Sequence, residues 1–508
     1  MSILAYRADN LFCGETGKGA RVVLRRLARS NLFVLGAYIV CSVIVTSSLF
    51  FLVLHVSANR LPVSSAGIAP LLVCLQILYA ANLLVRYKTL PSLSFIVVAV
   101  PALLLFSWFI LPDQVPDEIW HIYRSFTVFE DIGTRMVVPN IITYQELPVN
   151  YVDYLGAFEN SSSWVGVHEV TRDMSAYLSH LYFFSGIGAC IGKFLQLNVF
   201  FTIWLARISN AAAYLAAGYW VLKVLPFGKS VGFVYLLNPM LLELEASCSA
   251  DAVLNSVCLL YIAFYLRCLI ERPVSHNNLI GMIVCLGLTA VSKYAYALLA
   301  ILLLAFVPRT KDKSRKLLLY IATVCGLVII IAAVLIWYSP AQGTEIWYAL
   351  ELVRAPLSLL TVYIKTIWEQ LPLWISSFAG GNLGAFTVST WPPCLWAYLI
   401  LITVSILVGP GEDVNLSRWT RLFHGIFSII LILLLALPFR KWSIEVDGRA
   451  DIIQGVQGRY FLPFAMLPLA TFVRRDFHIV RESCYLSYGV ILAVIIIIDT
   501  ISITITFI

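Results

Sequence analysis

PSLSFIVVAVPALLLFSWFILPDQVPDEIWH, residues 91–121, joins a largely apolar run to two adjacent carboxylates, Asp117 and Glu118. At 1.5 Å per residue an apolar helix over 91–111 is about 30 Å long, enough to cross a bilayer. Ionisable groups close to hydrocarbon are costly, so a carboxylate pair at the exit of such a helix is a functional-site hypothesis by default. A simpler reading also fits the pair: Pro116 stops the helix, and the two acids mark its water-exposed end.

Of the 508 residues, 60% are hydrophobic and 12% charged, and the mean hydropathy is +0.87. This composition excludes an ordinary soluble enzyme and defines an all-α polytopic membrane protein. The net charge of +7 is gathered in short segments between apolar runs, as loops facing the cytoplasm require, and makes no nucleic-acid patch. Eleven cysteines, without CxxC or metal-ligand spacing, read as small core residues rather than disulfides, which gives redox chemistry no support; no cofactor and no metal-ligand set is expected from the sequence, and divalent-metal dependence is left open. The basic N-terminus (Arg7, Lys18, Arg21, Arg25, Arg26, Arg29) ahead of the apolar run 32–54 reads as a retained cytoplasmic end.

With that end inside, spans at 32–54, 67–85 and 91–111 bring Pro116 to the outside. Residues 112–175 fit, with ten acidic and three basic residues. The basic run Arg309–Lys316 belongs inside. Between these points either five stretches cross, or 176–194 lies on the outer surface while 278–307 breaks at Ser292-Lys293-Tyr294 into two short helices meeting near the outer face. The second version keeps Lys223, Lys229, Arg267 and Arg272 inside and is preferred. A span at 317–338, a second outer segment at 339–390 and spans near 391–409, 422–438, 458–473 and 485–508 bring the total to about 13 crossings. Three regions follow: 1–90, the basic end plus a transmembrane hairpin; 91–475, the catalytic module with outer loops 112–175 and 339–390; and 476–508, a last transmembrane helix.

On this topology the polar residues converge on the outer side: Asp117, Glu118, His121 and Arg124 after the third span, Arg207 inside an apolar helix, Glu243, Glu245 and Asp251 around a turn, Lys293 in the break, and Arg459-Tyr460 opening a late span. Carboxylates beside cations suit a transfer in which a base deprotonates an alcohol while cations hold a departing phosphate. Each also has a plainer role. His121 fits a packed or capping histidine, Lys293 a snorkelling lysine, and Arg207 and Asp251 ion-pair partners inside the bundle.

Pro116–His121 (a PDExxH-like motif), Leu205-Ala206-Arg207, Asn238-Pro239 followed by Ser249-Ala250-Asp251-Ala252, Ser292-Lys293-Tyr294 and Gln457-Gly458-Arg459-Tyr460-Phe461-Leu462-Pro463 together resemble an uncharacterised bacterial family of predicted membrane proteins assigned to the GT-C glycosyltransferase superfamily. The resemblance covers about 91–475. It implies a GT-C-like fold, a polyprenyl-phosphate (undecaprenyl-phosphate type) sugar donor and a catalytic acid in the first outer loop, a role that falls on Asp117 or Glu118. Arg124, Lys293 and Arg459 are then candidates for the donor phosphate, with His121, Arg207, Asp251 and Tyr460 in support. Val115, where a second proline is usual, and Ile119-Trp120, where smaller residues are usual, depart from the pattern around the acceptor pocket. The expectation is a transferase of the bacterial inner membrane acting on an acceptor glycan, O-antigen or another surface polysaccharide. Its functional partners would be a polyprenyl-phosphate glycosyltransferase and a flippase. A transporter or flippase of a lipid-linked glycan and a glycan polymerase or ligase are the alternatives.

Overall fold

A computed structural model of the chain describes residues 17–60, 68–129, 136–137, 148–160, 167–168, 178–309, scattered positions between 313 and 328, 354–410, 416–473 and 479–508; several stretches, 17–32 among them, are described by backbone alone. The basic segments 7–29 and 309–316 and the span expected at 317–338 therefore fall wholly or largely outside the described side chains.

Helices α1 (Gly17–Ser57), α2 (Ile68–Arg86) and α3 (Pro91–Phe109) pack together. Tyr38 Oη donates to the Val97 carbonyl (2.7 Å) and Gln76 Nε2 to Ser42 Oγ (2.5 Å), hydrogen bonds that tie the three helices together inside an apolar layer. At the end where α3 stops, α4 (Glu118–Thr127), α5 (Tyr151–Asn160) and α6 (Phe183–Phe194) gather; a two-residue antiparallel pair, β1 (Met136–Val137) and β2 (Val167–His168), flanks α5 in sequence. We call this the site end.

The segment expected to lie on the outer surface, 176–194, instead doubles back along the helix that follows it. In α6 a Cβ on Gly188 would strike the Leu205 carbonyl and one on Gly192 the Thr202 side chain, so α6 runs antiparallel to the first half of α7 (Val199–Val224) at backbone contact. Gly188-Ala189-Cys190-Ile191-Gly192 is a GxxxG stripe, the small-residue pattern that permits such an approach. At 12 residues α6 is about 18 Å long and does not cross by itself.

The span expected at 231–247 is two short helices, α8 (Lys229–Leu236) and α9 (Pro239–Glu245). Asn238 causes the break. Its side chain accepts from Met240 N (2.8 Å) and Leu241 N (3.3 Å), and Pro239 sits in the first turn of α9, where its missing N–H does no harm. Helix α10 (Ala250–Ile270) is flanked by α11 (His276–Ser292) and by a 3-10 helix (Tyr294–Arg309) running back beside it. Gly281 meets the Phe264 ring, and Tyr261 Oη donates to the Leu299 carbonyl (2.9 Å). The chain breaks at Lys293, as expected from Ser292-Lys293-Tyr294, and returns Lys293 to the site end.

Residues 339–390, expected as a loop, include a 24-residue helix, α12 (Pro356–Ala379), ending at Gly380 with φ 80°, and a hairpin of β3 (Asn382–Leu383) and β4 (Val388–Ser389). The bundle closes with α13 (Pro392–Leu407), α14 (Arg418–Ala436), α15 (Arg440–Glu445), α16 (Leu462–Thr471) and α17 (Cys484–Phe507). Away from the site end, β5 (Val408–Gly409) pairs parallel with β6 (Ile479–Val480).

Among the described residues six segments are long and apolar enough to cross a membrane: Phe33–Ser57, Pro91–Phe109, Val199–Val224, Ala250–Ile270, Arg418–Glu445 and Cys484–Phe507; Leu71–Arg86, His276–Ser292, Ala295–Phe306 and Pro392–Leu407 are shorter apolar helices. Their outward faces are apolar, with Ile429, Ile430 and Leu434 of α14 and Val490, Ile491 and Val494 of α17 exposed, a surface suited to lipid rather than water. The chain is thus a mostly helical, membrane-embedded protein.

Candidate functional site

Arg207, on α7, organises the site end. Helix α3 stops at Phe109 and leaves carbonyls without helical partners at the negative end of its dipole. Arg207 gathers carbonyls at and just past this end: Nη1 donates to Ser107 O (3.0 Å) and Ile110 O (2.5 Å), and Nη2 to Leu111 O (3.1 Å), which also accepts Gln114 N. The same guanidinium forks onto Glu118, Nε to Oε1 at 2.9 Å and Nη2 to Oε2 at 2.5 Å. Glu118 also accepts Cys248 N on Oε1 (3.1 Å) and Asp113 N on Oε2 (3.2 Å). With side chains 2% and 0% exposed, the pair is viable because the hydrogen bonds offset desolvation. It ties α3, α4, α7 and the turn before α10 to one point.

Asp117 stands next to this locked pair and is its opposite. It takes the left-handed conformation (φ 63°), caps no N–H with its side chain, and is 67% exposed. A non-glycine residue held there is strained, a feature that gathers at functional sites. Its Oδ2 accepts from Arg459 Nη2 at 3.3 Å. Arg459 is itself buried, lies over the Tyr460 ring (5.2 Å), and its Nε has no hydrogen-bond partner among the described residues. Tyr460 stacks on Phe439 and accepts at its carbonyl from Tyr296 Oη (2.8 Å), which fixes the strand of chain leading into α16.

Asp251, in the first turn of α10, meets Lys293 at 2.5 Å. Arg459, Lys293 and His121 all act electrostatically on Asp251, so these four groups share one neighbourhood. His121 Nδ1 lies 2.8 Å from Tyr182 Oη. Burial lowers the His121 pKa to about 4, so its ring is neutral at pH 7. Arg124 turns toward Ser179 Oγ (2.7 Å), seven residues and about 10 Å along the helix from Asp117, and its Nε has no hydrogen-bond partner among the described residues. The candidates thus divide into an exposed carboxylate with its arginine, a neutralised lysine, a locked Glu118–Arg207 pair, and an outlying Arg124.

Two further acids belong here: Asp113, which the sequence reading did not single out, and Glu243, which it placed on the outer side without a role. Asp113 has φ 68° and caps Ile119 N with Oδ1 (3.1 Å); burial, with the charges of Glu118 and Asp117, pushes its pKa up to about 6. Glu243, buried on α9, accepts Gly384 N of the β3–β4 turn (2.8 Å). In that turn Gly384, Ala385 and Phe386 all have positive φ (59°, 53° and 69°), and Thr387 reaches Gln114 at 3.5 Å, so the hairpin faces the Asp113–Asp117 loop. The Pro112-Asp113-Gln114-Val115-Pro116 spacing could have flagged Asp113, since two prolines enclose a short acidic loop. Nothing local ties residue 243 to residue 384.

Fold and site together define a multi-helix integral membrane protein with a charged cluster at one end of its bundle. The chain belongs to the family described as predicted membrane protein (DUF2142), whose profile matches residues 159–468. The match includes Arg207, Asp251, Lys293 and Arg459; the Pro116–His121 motif lies before it, yet Asp117 and Glu118 contact Arg459 and Arg207 inside it. No curated protein and no solved structure matches the chain.

Proposed function

We propose that the chain is a GT-C-type glycosyltransferase of a bacterial cytoplasmic membrane that moves a sugar from polyprenyl phosphate to an acceptor glycan, such as O-antigen, on the outer face. The reading entails about 13 crossings, with the short helices buried among longer ones. One observation carries it: an accessible carboxylate, Asp117, stands 3.3 Å from a buried arginine, Arg459, at one end of an apolar bundle.

In this reaction Asp117 is the base. Glu118 is unsuited to that role because both its oxygens are engaged and no face meets solvent. Asp117 takes the proton of an acceptor hydroxyl. The acceptor oxygen bonds to the anomeric carbon as the bond from that carbon to the donor phosphate breaks, and the polyprenyl phosphate leaves with the electron pair. A single displacement inverts the anomeric centre. Charge explains the pairing. The carboxylates Asp117 and Asp251 balance Lys293 and Arg459, with His121 neutral. Once Asp117 is protonated the cluster carries one net positive charge, and Arg459 is free to hold the departing phosphate in a low-dielectric site. Lys293, beside Asp251, supports it, and Arg124 is an outlying contact.

A transporter or flippase would place polar groups through the membrane depth, so the clustering at one end favours transfer. Polymerase or ligase activity would use the same chemistry. The test is turnover of polyprenyl-phosphate sugars by purified Asp117→Asn, which should fall on the order of 10²-fold or more. Arg459→Ala should weaken binding of polyprenyl phosphate without acceptor present. A folded Asp117→Asn protein with near wild-type turnover would show the assignment to be wrong.

A further inference from the structure

We infer, given transfer with Asp117 as the base, that the acceptor glycan is acidic and that Arg124 reads its carboxylate, at a subsite about 10 Å along α4 from the reacting hydroxyl. Arg124 is 6% exposed. Its Nη2 donates to Ser179 Oγ at 2.7 Å, its Nε is buried without a hydrogen-bond partner among the described residues, and it pairs with no carboxylate among them. Arg207 and Arg459, also buried, each meet an acid, Glu118 and Asp117. Arg207 shows how such a group is used, since its Nε and Nη2 together hold both oxygens of one carboxylate. On Arg124 the same edge meets only a serine hydroxyl. A buried cation without a counter-charge is costly, and a bound anion removes the cost.

The surroundings place that anion on the acceptor. Asp117, His121 and Arg124 follow one another at spacings of four and three, so they share one face of α4. Opposite them the 3-10 turn Ser179–Tyr182 sets Tyr182 Oη 2.8 Å from His121 Nδ1 and Ser179 Oγ on Arg124. His180 Nε2 ties the turn to Ser292 Oγ (2.9 Å), next to Lys293. Helix α4 and the turn thus form a polar track with the base at one end and Arg124 at the other. The donor phosphate belongs at Arg459, beside Asp117, whereas Arg124 lies beyond His121 and turns to Ser179. About two helical turns separate Asp117 from Arg124, further than one sugar ring spans, so the anion sits on a neighbour of the sugar that reacts. Charge and shape select its kind. One guanidinium is balanced by one negative charge, and a planar carboxylate matches the planar fork. Ser179, whose oxygen accepts from Arg124, keeps its hydroxyl proton to donate to the same carboxylate. Arg124 is therefore more than an outlying contact of the donor: it sets the acceptor class.

The experiment measures binding without turnover, by thermal unfolding of the full-length protein in detergent at constant ionic strength. The probes are short oligomers of glucuronate, galacturonate and mannuronate, each compared with the same oligomer after carboxyl reduction to the neutral sugar. At least one acidic oligomer should raise the unfolding temperature saturably, by about 2 °C or more well above half-saturation, and its reduced counterpart should not. Arg124→Gln should raise the half-saturating concentration on the order of tenfold or more. Arg124→Lys, which keeps the charge and loses the fork, should fall between, and it carries the test if the glutamine variant does not fold. Stabilisation by none of the acidic oligomers overturns the inference, as does an equal shift from acetate at the same carboxylate concentration or an unchanged half-saturation in the variants. Weakened binding of polyprenyl phosphate in Arg124→Gln, with oligomer binding unchanged, overturns it too and returns Arg124 to the donor. Each of these outcomes leaves the assignment of the base standing, which turnover by Asp117→Asn tests separately.

Discussion

Replacing the two neighbouring acids one at a time should give opposite phenotypes. Glu118→Gln removes one charge of a pair whose side chains are 2% and 0% exposed, leaving Arg207 buried opposite a neutral amide. The amide also presents N–H donors where Arg207 and the Asp113 and Cys248 backbones already donate. Breaking a buried pair by removing one partner costs about 3–5 kcal/mol, so Glu118→Gln should lower unfolding stability by that order. Asp117→Asn changes a side chain that is 67% exposed and bound through one 3.3 Å contact, so its effect should stay within about 1 kcal/mol. Reversible denaturation of both variants in the same detergent, scored by helix content, measures this. Replacing Glu118 and Arg207 together by apolar residues of similar size should recover part of the loss, because no unpaired charge remains. Equal stability of wild type and Glu118→Gln, or a larger loss in Asp117→Asn, would refute the division into anchor and reactive group.

Two further outcomes follow from the geometry. Because burial raises the Asp113 pKa from 3.8 to about 6, the folded protein keeps this proton over a range where the unfolded chain has lost it. The stabilisation is therefore present below about pH 4 and lost as pH rises through about 6. Compared with Asp113→Asn, the wild-type unfolding temperature should decline across that window, and parallel pH curves would count against the placement of Asp113. At the α6–α7 contact, Gly188→Ala should destabilise by about 1–3 kcal/mol because the new methyl meets the Leu205 backbone rather than a flexible side chain, while Gly287→Ala, with open space around it, should be near neutral. Thermal unfolding of the two variants compares them directly.

Much of the site was legible because its signals are local. Asp117 follows an apolar run and a proline, Lys293 interrupts an apolar segment, and Arg459 opens another, and charges in such places are costly enough to need a reason. The membrane class and the break at 292–294 follow from the same physics. The sequence could not rank Asp117 against Glu118, since adjacent residues on a helix start have the same composition around them. Their difference comes from Arg207, 89 positions away, which happens to meet Glu118 and spares Asp117. Nor could periodicity reveal that 231–247 is two helices, that 176–194 doubles back on α7, or that a hairpin at 382–389 reaches Glu243, because these depend on an Asn238 cap, a glycine contact and a tertiary hydrogen bond. Hydrophobicity is a property of each residue and can be read along the chain, whereas the pairing of buried charges is set by which helix ends meet in space, and only the packed bundle decides that.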